Sequence, residues 1–511
     1  MRTQKAIKNM MVSVLLYSVL LIMGVLIRRI LLDSFDTELV GYDSLLTNLF
    51  SLLSIADLGA NGMFTYRMYE AFAKGDWKRI NHLYNMYRVM FHTIGYVMSA
   101  VFLAVFLFLP VLFEGKVSHW GYFRLMFIIS AVGALITYFM GYWNTLLTCG
   151  QKEYKISAVQ STARIAMLVI KCIVLWTTKS YILYLGLSLL SSVISQVAIV
   201  ILSRKEYPSI HKEKVTLKDY QNEGIFQEIK QILLIKICNS ISVSTDSLLI
   251  TFLINIRTAA LYSNYILIGT NVMEVFRRLA VPMRASIADM LYKEATEKSY
   301  RFYQTVKLAF WFVASTFFVC FVVVFQPAIT LFFGGRFLLP MSFVFAYATY
   351  CYIGVKGESA TAFRECYGEF EIEKKYSVIG MLLNITTSVL LSKVIGISGI
   401  IWGTVISSVF LWNSRLLIVD KNLFKQSMVK SWLKEIAFFG LALLELLLVR
   451  LITRAIPYTW GGMLLTGTLG VMITNAVNVA LFFRTEAFQD IIKRVKRLFI
   501  EWHKGEIKWQ R

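Results

Sequence analysis

The chain has 511 residues, of which 57% are hydrophobic and 16% charged, and its mean hydropathy is +0.61. A soluble protein of this length with so apolar a surface would aggregate, which excludes soluble enzymes and soluble binding modules as classes. The composition instead describes an all-α polytopic membrane protein, because apolar runs of roughly 20 residues, enough to cross about 30 Å of hydrocarbon, recur throughout, and lipid offers an exposed backbone no hydrogen-bond partner.

In chain order about 14 transmembrane helices are predicted. They run from Asn9 to Leu32, Val40 to Phe64, Tyr84 to Phe113, Tyr122 to Thr148, Ser157 to Thr177, Tyr181 to Ser203, Gln231 to Ile254, Ala259 to Met283, Tyr303 to Pro327, Pro340 to Phe363, Ser377 to Val394, Gly396 to Val419, Lys434 to Arg454 and Gly462 to Phe483. The first is not a signal peptide: Arg2, Lys5 and Lys8 lead into an apolar stretch that ends in Arg28 and Arg29, with no small-residue cleavage site. Connecting loops are short, so no soluble catalytic domain is inserted and the chain is not expected to be an enzyme. The longest loop, Arg204 to Lys230, is polar and follows the sixth span.

After the last span, Phe488, Ile491, Ile492, Val495, Leu498, Phe499 and Trp502 recur at spacings of three and four, interleaved with Lys493, Arg494, Lys496 and Arg497. That is the pattern of an amphipathic basic helix on an anionic membrane surface, with docking to a partner as the second reading. Six tryptophans near span ends (Trp120, Trp143, Trp176, Trp402, Trp432, Trp460) read as an interfacial belt.

Loop charge sets the orientation. With both termini cytoplasmic, about 33 Lys and Arg residues fall inside and about 4 outside (Lys116, Lys179, Arg257 and Arg336). The net charge of +22 is thereby explained as contact with anionic lipid, without nucleic acid. The six cysteines and five histidines are dispersed, with no metal or redox spacing.

An internal repeat is visible. Leu39-Val40-Gly41-Tyr42 matches Ala259-Ala260-Leu261-Tyr262, the turn Cys149 to Tyr154 recurs near Cys366 to Phe370, and Tyr69-Glu70-Ala71 followed by Tyr84 has a counterpart in Tyr292 to Ala295 and Tyr303. The offset is about 220 residues in each case. The predicted architecture is two pseudo-symmetric six-helix bundles plus two C-terminal helices. Its segments are an N-terminal bundle (1–203), a cytoplasmic linker (204–230), a C-terminal bundle (231–419), two further helices (420–484) and the tail (485–511). Such an arrangement suits alternating access, although duplication also builds channels and polytopic enzymes.

Ionisable groups inside spans are costly and are therefore functional candidates. Cations (Arg28, Arg29, Arg164, Lys171, Lys236, Arg277, Arg278, Lys356, Lys393, Arg415) outnumber anions (Asp57, Asp246, Glu274, Glu358, Glu445). Lys171, Lys393 and Arg415 lie near span ends and are read as snorkelling to headgroups. Glu274 and Arg278 form an i, i+4 pair. Arg28, Arg29, Arg164, Lys236, Arg277 and Arg278 are the candidate substrate-binding residues, because arginine grips phosphate oxygens through a planar fork. Neighbouring helix positions point about 100° apart, so one of Arg28 and Arg29 should dominate. Asp57 and Asp246 are read either as coupling-ion sites, for Na+ or H+, or as partners in internal salt bridges.

The stretch from Arg29 to Gly41, followed by "SLLTNLFSLLSIADLGANGMFTYRMYEAFAKGDWKRI", resembles the N-terminal signature of capsule and exopolysaccharide repeat-unit flippases. These form the polysaccharide transporter family of the multidrug/oligosaccharidyl-lipid/polysaccharide exporter superfamily. "STDSLLITFLINIRTAALYSNYILI", "RASIADMLYKE" and "NITTSVLLSKVIGISGIIWGTVISS" are similar to its later spans, so the resemblance covers nearly the whole chain. Asp57 stands where the family has Glu, and Ile254-Asn255-Ile256 replaces a Gly-containing turn.

The resemblance implies translocation of an undecaprenyl-diphosphate-linked oligosaccharide from the inner to the outer leaflet of the bacterial cytoplasmic membrane. It implies membrane lipids and a polysaccharide polymerase as partners, and no cofactor beyond a coupling ion. Sugars and a diphosphate cost several kcal/mol per polar group to desolvate, so a cationic, water-filled cavity is expected. Flippases for lipid-linked peptidoglycan precursor share that chemistry. A multidrug or metabolite antiporter would favour an acidic cavity, and a membrane glycosyltransferase or polymerase would need a large external loop that is absent here.

Overall fold

The computed structural model describes residues 23–35, 37–53, 64, 67–68, 71–72, 74–114, 117–150, 152–222, 238, 241, 244–367 and 370–503. All regular structure among them is helical, and nine helices are long and apolar enough to cross a membrane. The chain divides into two compact units, residues 26–263 and residues 264–511 together with 1–25.

The first unit holds α1 (23–34), α2 (Thr37–Leu53), α3 (Trp77–Leu112), α4 (Trp120–Met140), the short α5 (Trp143–Cys149), α6 (Glu153–Thr178), α7 (Tyr181–Glu206), the short α8 (Leu217–Asn222), α9 (Ser244–Leu253) and the start of α10 (Ile256–Lys293). Asp76 caps α3 by accepting from Arg79 N at 3.0 Å, and the Ser180 hydroxyl caps α7. The predicted fourth span is interrupted by a turn at Gly141 and Tyr142 and becomes α4 and α5.

Two apolar clusters hold this unit. One packs Leu31, Leu45, Phe50, Phe102, Phe123 and Phe127, and the other Leu83, Tyr87, Phe91, Leu146 and Ile199. Only a minor share of each spanning stretch is buried inside the protein (22% in α3, 17% in α6). Leu103, Leu107, Phe108 and Val111 point outward from α3, which is the solution for a helix solvated by lipid. The described part of the 204–230 loop is fastened to α3: Asn81 Oδ1 accepts from His211 N at 2.9 Å, Asn85 Oδ1 accepts from Glu213 N at 3.1 Å, and the Tyr220 hydroxyl donates to Met86 O at 2.6 Å.

The second unit contains the rest of α10, then α11 (Thr296–Phe333), α12 (Met341–Tyr367), α13 (Phe370–Ile395), α14 (Ile397–Leu416) continued by a π-helical turn (Leu417–Leu423), α15 (Met428–Thr453), α16 (Trp460–Phe482) and α17 (Glu486–His503). Here α11 is central, 61% buried over its span window against 17% for α13. It packs on α12, α15, α16 and α17.

The hairpin of α13 and α14 is dry and close. Gly396 takes φ +60° at its turn, which an L side chain resists. A Cβ on Gly403 would stand 2.4 Å from Ser388 N, so glycine permits the approach that lets Asn384 Nδ2 reach Thr404 Oγ1 at 3.0 Å. The tail helix α17 is docked: Phe488 stacks on Phe312 at 5.8 Å and the Arg494 guanidinium sits 4.5 Å from the Phe302 ring. Part of its amphipathic face is thus spent on α11.

The repeat is carried by a tyrosine at one corner of each unit. In the first, the Tyr42 hydroxyl donates to Glu38 Oε1 at 2.6 Å and accepts from Ser118 N at 2.9 Å, at the entrance to α4, with the Phe123 ring at 5.2 Å. In the second, the Tyr265 hydroxyl donates to Gln326 Oε1 at 3.0 Å and accepts from Leu339 N at 2.9 Å, at the entrance to α12, with the Phe343 ring also at 5.2 Å. The tyrosine matched to Tyr42 is therefore Tyr265, three positions beyond the Tyr262 chosen by local sequence similarity.

Candidate functional site

The cationic site of the first unit is built around Arg28. Its helix α1 turns Arg28 inward, 8% exposed, where Nη2 donates to the Ser263 hydroxyl and approaches Ala260 O at 3.4 Å. Ser263 is held in place by donating to Ala260 O at 2.7 Å. One residue on, Arg29 points away, half exposed, and pairs with Asp33 at 3.7 Å. The 100° step between adjacent helix positions separates the two arginines.

Three further elements bring groups to Arg28. Asp43 of α2 faces it, as do Tyr181 and Tyr184 at the start of α7. Lys171 of α6 also interacts with Asp43, and its ammonium lies 4.7 Å from the Tyr184 ring centroid. Phe35 meets Tyr181 edge-on at 5.3 Å and Tyr181 lies 5.5 Å from Tyr184. Among the described residues, two cations meet one carboxylate here within an aromatic lining. The Lys171 ammonium over the Tyr184 ring is a cation–π contact.

Lys171 therefore differs from its reading as a headgroup-directed residue: it is half-buried and turned toward Asp43 and Tyr184. Asp43, Tyr181 and Tyr184 were missed in the sequence. Asp43 lies three residues into a predicted span and satisfied the same criterion as the other intramembrane charges, so the signal was present. The tyrosines gave none apart from their neighbours in space.

The remaining candidates fall as follows. Arg164 is exposed on α6. Asp246 is buried on α9, 4% exposed. Arg277 and Arg278 lie on α10 in the second unit, with their side chains outside the described set, and Asp57 and Lys236 lie outside the described residues altogether.

The second unit contains a buried ion network of a different kind. Lys307 of α11 pairs with Glu435 of α15 at 2.8 Å and with Asp420 of the π turn at 3.6 Å, and Lys356 of α12 pairs with the other oxygen of Glu435. Nearby, Glu373 of α13 bridges Arg364 and Arg415, the latter at 3.7 Å; Arg415 also donates to Thr361 Oγ1 at 3.1 Å. Arg415 is thus turned into the protein, contrary to the snorkelling expectation, while Lys393 is exposed. With Glu365 pairing with Arg364 at 3.5 Å, the four cations Lys307, Lys356, Arg364 and Arg415 meet the four carboxylates Glu435, Asp420, Glu373 and Glu365, which suits a structural role. Among the described residues no cluster of three or more His, Cys, Asp or Glu side chains is placed to hold a metal ion.

No protein-family model matches the chain, and no curated protein matches it. Solved structures do. A structure of the lipid II flippase MurJ in an inward closed conformation aligns with a TM-score of 0.67 at 15% identity, covering 92% of this chain and 100% of that one. An inward-facing multidrug resistance MATE family transporter of the MOP superfamily gives 0.60 at 15% identity over 78% of this chain and 91% of that one. An outward-facing conformation of such a transporter gives 0.58 at 14% identity over 81% and 94%. The chain is a multi-pass membrane protein with the fold of MOP-superfamily transporters.

Proposed function

We propose that the chain is a flippase that carries undecaprenyl-diphosphate-linked oligosaccharide repeat units from the inner to the outer leaflet of the bacterial cytoplasmic membrane, by alternating access, for capsule or exopolysaccharide assembly. The observation that carries this reading is Arg28, a buried guanidinium with Lys171, Asp43, Tyr181 and Tyr184 around it. A planar fork beside a second cation suits the oxygens of a diphosphate. Tyrosine rings offer apolar faces to sugar rings and hydroxyls to sugar oxygens. Two cations against one carboxylate among the described residues disfavour cationic drugs, the cargo of a multidrug antiporter.

A second reading is favoured by the alignment with MurJ, a lipid II flippase: the substrate would then be lipid-linked peptidoglycan precursor, which offers the same diphosphate. Both readings are tested by export in flippase-null strains at matched membrane abundance. Capsule-repeat export should be restored by the native chain, abolished by Arg28→Ala, partly retained by Arg28→Lys and little changed by Arg29→Ala. Rescue of a strain depleted of its lipid II flippase, without rescue of capsule export, moves the assignment to the precursor. Native-level export by the double variant Arg28→Ala/Arg29→Ala removes both arginines from the mechanism.

A further inference from the structure

Outside both sites, Glu445 is a buried carboxyl for which no ion pair is found among the described residues. Glu445 lies well inside α15 with no measurable exposure, and neither oxygen has a hydrogen-bond partner. The polar group that interacts with it is the Ser315 hydroxyl of α11, already committed as a donor to Phe312 O at 3.3 Å and as an acceptor from Asn478 Nδ2 of α16 at 3.0 Å. Asn478 Oδ1 and Thr474 Oγ1 are likewise buried and unpartnered.

Register brings these groups to one level. The α16 residues Gly467 and Asn478 meet α11 at Cys320 and Ser315 respectively, so the two helices run antiparallel. A Cβ on Gly470 would lie 3.8 Å from the Val449 side chain of α15. One turn from that contact, on the same faces, stand Glu445 and Thr474.

We propose that Glu445, with Asn478 Oδ1, Thr474 Oγ1 and Ser315 Oγ, binds a monovalent cation, a proton or a sodium ion, within the α11–α15–α16 triplet. A bare carboxylate in a dry interior is held only if its charge is neutralised, and oxygen donors are what a hard cation takes. One carboxylate completed by neutral oxygens balances a single positive charge. The other titratable groups facing Glu445 are the Tyr352 phenol of α12 and, a turn away on α11, the Cys320 thiol, whose Sγ is 3.8 Å from Gly467 O. The lysines of the ion network are committed to Glu435 and Asp420, about 15 Å along α15 from Glu445. The site rests on no reading of the cargo.

The test uses the purified full chain in detergent without substrate. In the sodium arm, replacing choline chloride by sodium chloride at equal ionic strength should raise the unfolding midpoint by about 3 °C, with saturable binding of radioactive sodium; Glu445→Gln should abolish both. In the proton arm there is no sodium response, and a protonated-carboxyl stretch in the infrared should titrate with pH and be missing in Glu445→Gln. Thr474→Val, which removes one oxygen at constant shape, should weaken sodium binding about tenfold or shift the titration, and it serves if Glu445→Gln does not fold. Neither a sodium response nor a titrating carboxyl, or either one left unaltered by Thr474→Val, overturns the proposal.

Discussion

At the scale of single residues, the two units treat buried charge differently. Around Arg28 two cations meet one carboxylate among the described residues, whereas Lys307 and Lys356 are matched by Glu435 and Asp420. Removing one member of a buried ionic group leaves the others uncompensated, at about 3 to 5 kcal/mol. Glu435→Gln should therefore lower the unfolding midpoint of the purified chain sharply, and the double change Glu435→Gln/Lys356→Met should recover part of the loss. If Glu435→Gln melts like the native chain, the network does not hold the second unit together. Counting charges inside predicted spans marked Arg28, Arg29 and Lys356 as candidates but set Lys171 aside as headgroup-directed. It did not mark Lys307 or Glu435, because both lie within a few residues of a predicted span end, where hydropathy cannot separate a headgroup contact from a buried pair. What decides is whether the helix continues: α11 and α15 begin seven and six residues before the predicted starts at Tyr303 and Lys434, and a cross-helix carboxylate waits at that level.

At the scale of elements, length and apolarity located the helices well, since lipid leaves no other backbone solution. They did not locate the break between α4 and α5, where Gly141 and Tyr142 interrupt an otherwise apolar run, nor the docking of α17, whose stripe of apolar positions fits a membrane surface and a neighbouring helix equally. The register of the repeat was misplaced by three residues, because Tyr262 follows the run Ala259-Ala260-Leu261 much as Tyr42 follows Leu39-Val40-Gly41, whereas Tyr265 follows Ser263-Asn264 and is singled out by its hydrogen bond to Leu339. That corner makes a prediction. Tyr265→Phe strands the Leu339 N–H and Gln326 Oε1 and should cost about 1 to 3 kcal/mol, while Tyr458→Phe, which removes an exposed hydroxyl, should cost less. Thermal unfolding of the two purified variants decides, and equal effects would deny the corner its role. Gly403→Val, whose side chain meets the Ser388 backbone, should prevent the α13–α14 hairpin from closing and reduce the yield of folded chain in membranes.

At the scale of the whole molecule, loop charge predicts an orientation with both termini cytoplasmic. Ser118 and Ser209 are both exposed, and on a cysteine-free background a cysteine at Ser118 should react with an impermeant thiol reagent in intact cells, whereas one at Ser209 should react only after permeabilisation. The reverse pattern would invert the topology. The two tyrosine corners differ in what they tie together. Their grips on the backbone are alike, but the acceptor of the phenol is Glu38 from the same helix in one unit and Gln326 from another helix in the other. The first corner therefore fastens α2 to the entrance of α4 and involves no third segment, whereas the second is a three-way knot of α10, α11 and the entrance of α12, so a displacement of α11 along its axis would pull on the second corner and has no counterpart in the first.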